Sequence, residues 1–188
     1  MIGARAARRL AELERVEIRP GLTAAEFAQV ERRYGFEFAD DHRAFLAAGL
    51  PVHPPEMAGR GFPDWRDGDP RALLSQLACP VEGMLFDVEH NSLRPEEWGN
   101  RPSSMVEALG LAGHRLDSVP RMIPVCGHRY LPAGRGGRGH PVLSMWQTDI
   151  ICYGCDLYDY IEQEFVSPRP PRRSYTEPTL PFWSNFVG

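Results

Sequence analysis

The side chains best equipped for chemistry are Cys126, His128, Asp149, Cys152 and Cys155, together with His90 and His140. Cys152-Tyr153-Gly154-Cys155 is a CxxC. A structural zinc site needs four ligands, often as two such pairs. Only Cys79 and Cys126 remain, and neither has a partner at that spacing. A thioredoxin-like redox pair sits at a helix start after a strand, which Cys155-Asp156 partly imitates. The other reading is that Cys152 packs inside a strand as a small hydrophobe while Cys155 lies at the strand–helix turn. His128 beside Asp149 could act as a general base, and Cys126 with His128 and His140 could chelate zinc. Against this, the chain contains no HExxH and no GxSxG nucleophile elbow. The run from Gly134 to Gly139 could cradle a phosphate, but it lacks the Walker lysine and a following helix. It reads instead as a flexible loop bearing Arg135 and Arg138. The expectation is therefore no catalytic residue, no metal and no cofactor, with a metal- or thiol-dependent enzyme built on these five residues as the alternative.

Binding is the other chemistry these residues allow. Trp, Tyr and Arg dominate the energetics of protein interfaces. The candidate partner contacts are Trp65, Trp98, Arg101, Arg129, Tyr130, Gln147 and Asp149. The acidic Asp64, Asp67, Asp69, Glu96 and Glu97 could steer a basic partner, or simply be solvated.

The elements that must position these residues follow from pattern. A helix is predicted from Ala4 to about Val16. A second runs to Tyr34 from a capping box of Thr23 and Glu26, with Gly35 as its C-cap. A third runs from Asp40 or Asp41 to Ala48, making an αα-hairpin. Pro51 to Asp69 is irregular, with Phe62 and Trp65 expected to fold back onto the core. Asp69-Pro70 opens a short helix carrying Leu73, Leu74 and Leu77. For Gly83 to Val88 periodicity leaves strand and helical turn both open. Ser104 and Glu107 form another capping box, starting a helix through about Leu116.

Arg121 to Gly154 is the clearest β region, rich in β-branched and aromatic residues. It is expected to give three antiparallel strands, with Pro124 on an edge and a mobile hairpin loop from Ala133 to His140. Asp156 then caps a helix that buries Leu157, Tyr160, Ile161 and Phe165. This order predicts an α+β fold: N-terminal helices packed on an antiparallel meander, then a C-terminal helix and an extended tail. The domain spans 1–166. Residues 167–188 form a proline-rich tail in which Phe182, Trp183 and Phe186 should dock.

Composition narrows the partner classes. The 188 residues carry 21 basic and 25 acidic side chains, a net charge of −4, and every basic residue is arginine. Phosphate neutralisation supplies most nucleic-acid affinity, so an acidic chain without a basic face is not expected to bind nucleic acid. No stretch approaches the roughly 18 apolar residues of a membrane span. The opening residues lack the apolar core of a secretory signal, which points to a cytoplasmic protein with reduced thiols.

Residues 22–49, LTAAEFAQVERRYGFEFADDHRAFLAAG, resemble the opening pattern of the SUKH superfamily: a capped helix with Glu31, then Gly35, Phe38, Asp40, Asp41 and Phe45-Leu46. Phe38-Ala39 replaces the usual Leu-Pro before the acidic turn. EGMLFDVEHNSLRPEEWG (82–99), VPRMIPVCGHRYLP (119–132) and HPVLSMWQTDIICYGCDLYDYIEQEF (140–165) resemble an actinobacterial Smi/Knr-type branch of that superfamily. Together the similarity covers about residues 22–165. It implies a non-catalytic binding module. Many bacterial members neutralise a cognate polymorphic toxin, usually a nuclease, while a fungal relative regulates cell-wall synthesis through partner proteins. The implied partner is thus a protein toxin, with a regulatory scaffold without a toxin as a further alternative.

Overall fold

The computed structural model describes residues 1–53, 60–167 and 180–188. Its elements are α1 (Ile2–Glu12), β1 (Glu17–Arg19), α2 (Ala24–Tyr34), α3 (Asp40–Ala48), β2 (Leu50–Val52), α4 (Pro70–His90), α5 (Met105–Leu116), β3 (Met122–Cys126), β4 (Arg129–Pro132), β5 (Val142–Trp146), β6 (Asp149–Gly154) and α6 (Leu157–Phe165). The fold is α+β, as its order of helices, meander and helix implied.

The centre is an antiparallel sheet in the order β3-β4-β5-β6. Successive residues of a strand face opposite sides, and both sides of this sheet are covered. Ile123, Val125, Leu131 and Val142 join the cluster built with α1, α2, α3 and α6. Met122, Tyr130, Leu143, Met145 and Ile150 join a second cluster with α4, α5 and residues 180–187. Strands buried on two faces read as continuous apolar runs, which is how MIPV and PVLSM look. The region expected to give three strands gives four, because Gly127, at φ +54, turns the chain between β3 and β4. Pro124 lies in β3 at the sheet edge, where its missing N–H costs nothing.

The N-terminal half follows its local signals closely. The Thr23–Glu26 capping box is formed and Gly35 takes the left-handed C-cap at φ 67. α1 ends at Glu12, short of the expected Val16, and Glu14 turns the chain at φ 50. Gly3 lets α1 lie directly on α3: a Cβ there would stand 1.8 Å from the Asp41 carbonyl oxygen. Phe62 and Trp65 are buried in the core as expected, and Leu50–Val52 pairs with β1, so part of the supposed irregular stretch is strand. The Ser104 side chain makes no cap hydrogen bond, so the second expected capping box does not form.

α4 departs most from expectation. In place of a short helix followed by an ambiguous segment, one helix of 21 residues runs through Pro80 to His90. Proline removes the hydrogen bond to the carbonyl four residues back, which here is that of Gln76. The buried Tyr130 hydroxyl donates to that Gln76 carbonyl at 3.0 Å. The sheet thereby satisfies the acceptor that Pro80 leaves open, and the helix continues.

The glycine–arginine loop is likewise strapped down where mobility was expected. Gly136 and Gly139 donate backbone N–H groups to Asp40 and Asp41 at 3.0 and 2.8 Å. Gly134 N–H reaches the Glu37 carbonyl, and Gly137 accepts from Asp40 N–H. Arg138 pairs with Asp40, and Arg135 with Glu31 and Glu37. The first part of the proline-rich tail, expected to be extended, lies at 168–179 outside the described residues.

Candidate partner-binding site

β3–β4 and β5–β6 turn at the same end of the sheet, so the meander gathers His128, Arg129, Trp146, Gln147 and Asp149 there. Arg129 lies opposite Ser144, Ser144 opposite Ile151, and Trp146 opposite Asp149. Directly opposed residues share a face, so Arg129, Ser144, Ile151, Trp146 and Asp149 project to the side on which α6 lies. Trp146 is 64% exposed and Asp149 is exposed too, while Arg129 and Ile151 are part-covered.

Beneath Trp146 the face is polar and tightly linked. Arg129 donates to the Ser144 hydroxyl at 2.9 Å, pairs with Glu164 at 3.5 Å, stacks 3.8 Å over the Tyr153 ring, and meets the His128 ring. Arg129 therefore orders the floor, and only Trp146 and Asp149 stand clear of it.

The hairpin tip is fixed in place by α4. Gly83 admits the Gln147 backbone so closely that a Cβ would lie 3.0 Å from the Gln147 Cα. The buried Asp87 carboxylate accepts from the Thr148 N–H and hydroxyl at 2.8 and 2.7 Å, and from Asn91. Gln147 takes a left-handed φ of 56 at the turn. Phe86, 45% exposed, neighbours this anchor, with exposed Glu82 and Glu89 on the same helix. The result is an anchored aromatic projection with Asp149 opposite it.

The remaining candidates have other tasks. Trp65 is 4% exposed, packing edge-on against Tyr34, Phe36 and Phe38, and Tyr130 is 1% exposed. Trp98 is buried and stacks on Phe182. Arg101 donates to the Val88 carbonyl at 2.7 Å, satisfying one of the open acceptors at the end of α4. Trp65, Trp98 and Tyr130 thus support the fold from within and offer a partner little surface in this conformation, whereas Arg101 is part-exposed. Of the acidic candidates, Asp69 caps α4 and Asp64 pairs with Arg19.

Trp146 was missed by sequence reasoning, although a signal was present. It is the last residue before a polar turn, on the Ser144 side of a strand whose alternate residues are core. A large aromatic at that end of β5 remains 64% exposed although Asp149 of β6 lies opposite it.

The cysteines differ in their surroundings. Burial pushes the Cys126 thiol up to about 12, so it stays protonated at neutral pH. Burial, helped by the Arg129 charge, lowers the His128 pKa and keeps that ring neutral. Cys152 is buried and donates to the Gly154 carbonyl, whereas Cys155 is exposed. Among the described residues no three His, Cys, Asp or Glu side chains come together in a way that could hold a metal ion. No described helix is long and apolar enough to cross a membrane. No family model, curated protein or solved structure matches the chain.

Proposed function

We propose that this chain is a non-catalytic protein-binding module of the SUKH type, acting in the cytoplasm as an immunity protein that neutralises a nuclease-type toxin by covering it. The observation that carries this reading is Trp146, a fully grown aromatic left 64% exposed on a rigid hairpin. Aromatic anchors on pre-ordered elements bind with little entropy loss, which is the property of an interface hot spot. The polar floor of Arg129, Ser144 and Glu164 supplies hydrogen-bonding groups around it. The similarity of residues 22–165 to the SUKH pattern supplies the kind of partner.

The test is to ask whether a toxin-like protein is encoded beside this gene and to titrate that protein with this chain. The expected result is a one-to-one complex that abolishes the toxin's nuclease activity. Trp146→Ala should weaken it by at least 2 kcal/mol, about thirty-fold, with the melting temperature unchanged. Absence of any complex, or equal binding by Trp146→Ala, would overturn the reading.

A further inference from the structure

Residues 180–188 make a compact plug on the α4–α5 side of the sheet. Leu180 and Trp183 are 4% and 1% exposed. The Trp183 indole N–H donates to the Pro120 carbonyl at 2.6 Å, and the Phe182 ring lies parallel to Trp98 with centroids 6.1 Å apart. Val187 pairs in parallel with Ile150, and Gly188 N–H reaches the Ile150 carbonyl at 3.2 Å. The plug thus completes both a core and a strand edge, the combination by which a separate peptide adds to a sheet.

Two observations mark it as releasable. First, Phe182 sits at φ 71, ψ −61, and Trp183 N–H bonds the Pro181 carbonyl at 2.9 Å. That is a γ-turn of the rare, strained kind, and its strain subtracts from the favourable energy of docking. Second, the plug is joined to the body by the twelve residues 168–179. Such a length can span up to about 45 Å, roughly the diameter of a domain this size.

We propose that the plug can leave its own groove and that the groove then takes the plug of a second copy of this chain, giving a tail-exchanged dimer. The groove fits this occupant because a second copy presents the same Phe182, Trp183 and Val187 to Trp98, Pro120 and Ile150. Exchange keeps every contact of the closed monomer, so the balance rests on the tether alone. The twelve-residue connection then sets the concentration that a second copy must reach to compete, taken as the millimolar range of a short flexible tether.

The full-length chain with a protease site placed within 168–179 tests this. After nicking, a fluorescent peptide of sequence LPFWSNFVG should replace the bound segment, and the same peptide with alanine for its tryptophan should not. The intact chain, mixed in equal tagged and untagged forms, should be monomeric at micromolar concentration and about half dimeric near 1 mM, with about half of those dimers mixed. Failure of the peptide to enter the nicked protein would overturn the proposal. So would an intact chain that stays monomeric at 1 mM although the nicked form exchanges.

Discussion

Trp146 and Cys126 show how burial separates residues that look equally reactive or equally sticky in the sequence. Replacing Trp146 by alanine removes a side chain that is 64% exposed, so the folded state should change by less than about 0.5 kcal/mol, while binding of the proposed partner should weaken about thirty-fold. Tyr130 is the opposite case. Tyr130→Phe leaves the Gln76 carbonyl, already freed by Pro80, buried without a donor, and should cost about 1–3 kcal/mol in denaturant unfolding. Thiol chemistry offers a third check at this scale. The Cys126 thiol is held up near 12 by burial, so at pH 8 almost none of it is thiolate. A thiol reagent followed by peptide mapping should modify the exposed Cys155 first and Cys126 only after unfolding. Rapid modification of Cys126 in the folded protein would show that the site opens.

The elements are joined at a few close contacts, and each makes a prediction. The β5–β6 hairpin meets α4 at Gly83, where a Cβ would stand 3.0 Å from the Gln147 Cα and 3.1 Å from its nitrogen. Gly83→Val should push the hairpin off Asp87 and cost about 1–3 kcal/mol through overpacking. It should also weaken partner binding, because Trp146 loses its fixed direction. The loop from 133 to 140 is held by the α2–α3 corner. The 7%-exposed Glu31 accepts from Phe38 N–H, Arg43 and Arg135, while Asp40 and Asp41 take the glycine amides. The sequence marked this corner as a motif and the loop as mobile. It could not show that the acidic turn exists partly to hold that loop. Trypsin should cut slowly after Arg135 and Arg138 in the native protein, and much faster once Asp40→Ala removes the anchor. Equal cutting rates would mean that the strap carries no restraint.

At the scale of the whole molecule, histidines with lowered pKa shape the response to mild acid, above the range in which the lowered carboxyls of Glu26 and Asp40 add theirs. His42 is 1% exposed, against Phe38, and burial lowers its pKa to about 3. His53, His128 and His140 are also lowered, chiefly by burial. In the unfolded chain these rings take protons near pH 6.5, and in the folded chain only at lower pH. The unfolded state therefore binds more protons below pH 6.5, and stability falls as pH falls through that window. His42 contributes down to about pH 3, with a limiting slope of about 1.4 kcal/mol per pH unit. The urea midpoint should drop between pH 7 and 5, and His42→Leu should flatten the drop; an unchanged slope would show that His42 is not buried neutral. As for legibility, the sequence by itself determined the α+β order, the capped helix before Gly35, the β region and the docking of Phe182 and Trp183. These rest on local backbone preference and apolar periodicity, which are properties of neighbours along the chain. Only the tertiary structure decided that α4 runs through Pro80, that the glycine–arginine loop is tied down, that Trp65, Trp98 and Tyr130 are core, and that Trp146 stands exposed. Each depends on groups far away in sequence, such as a tyrosine hydroxyl or an acidic corner. Local preference carries no information about such partners.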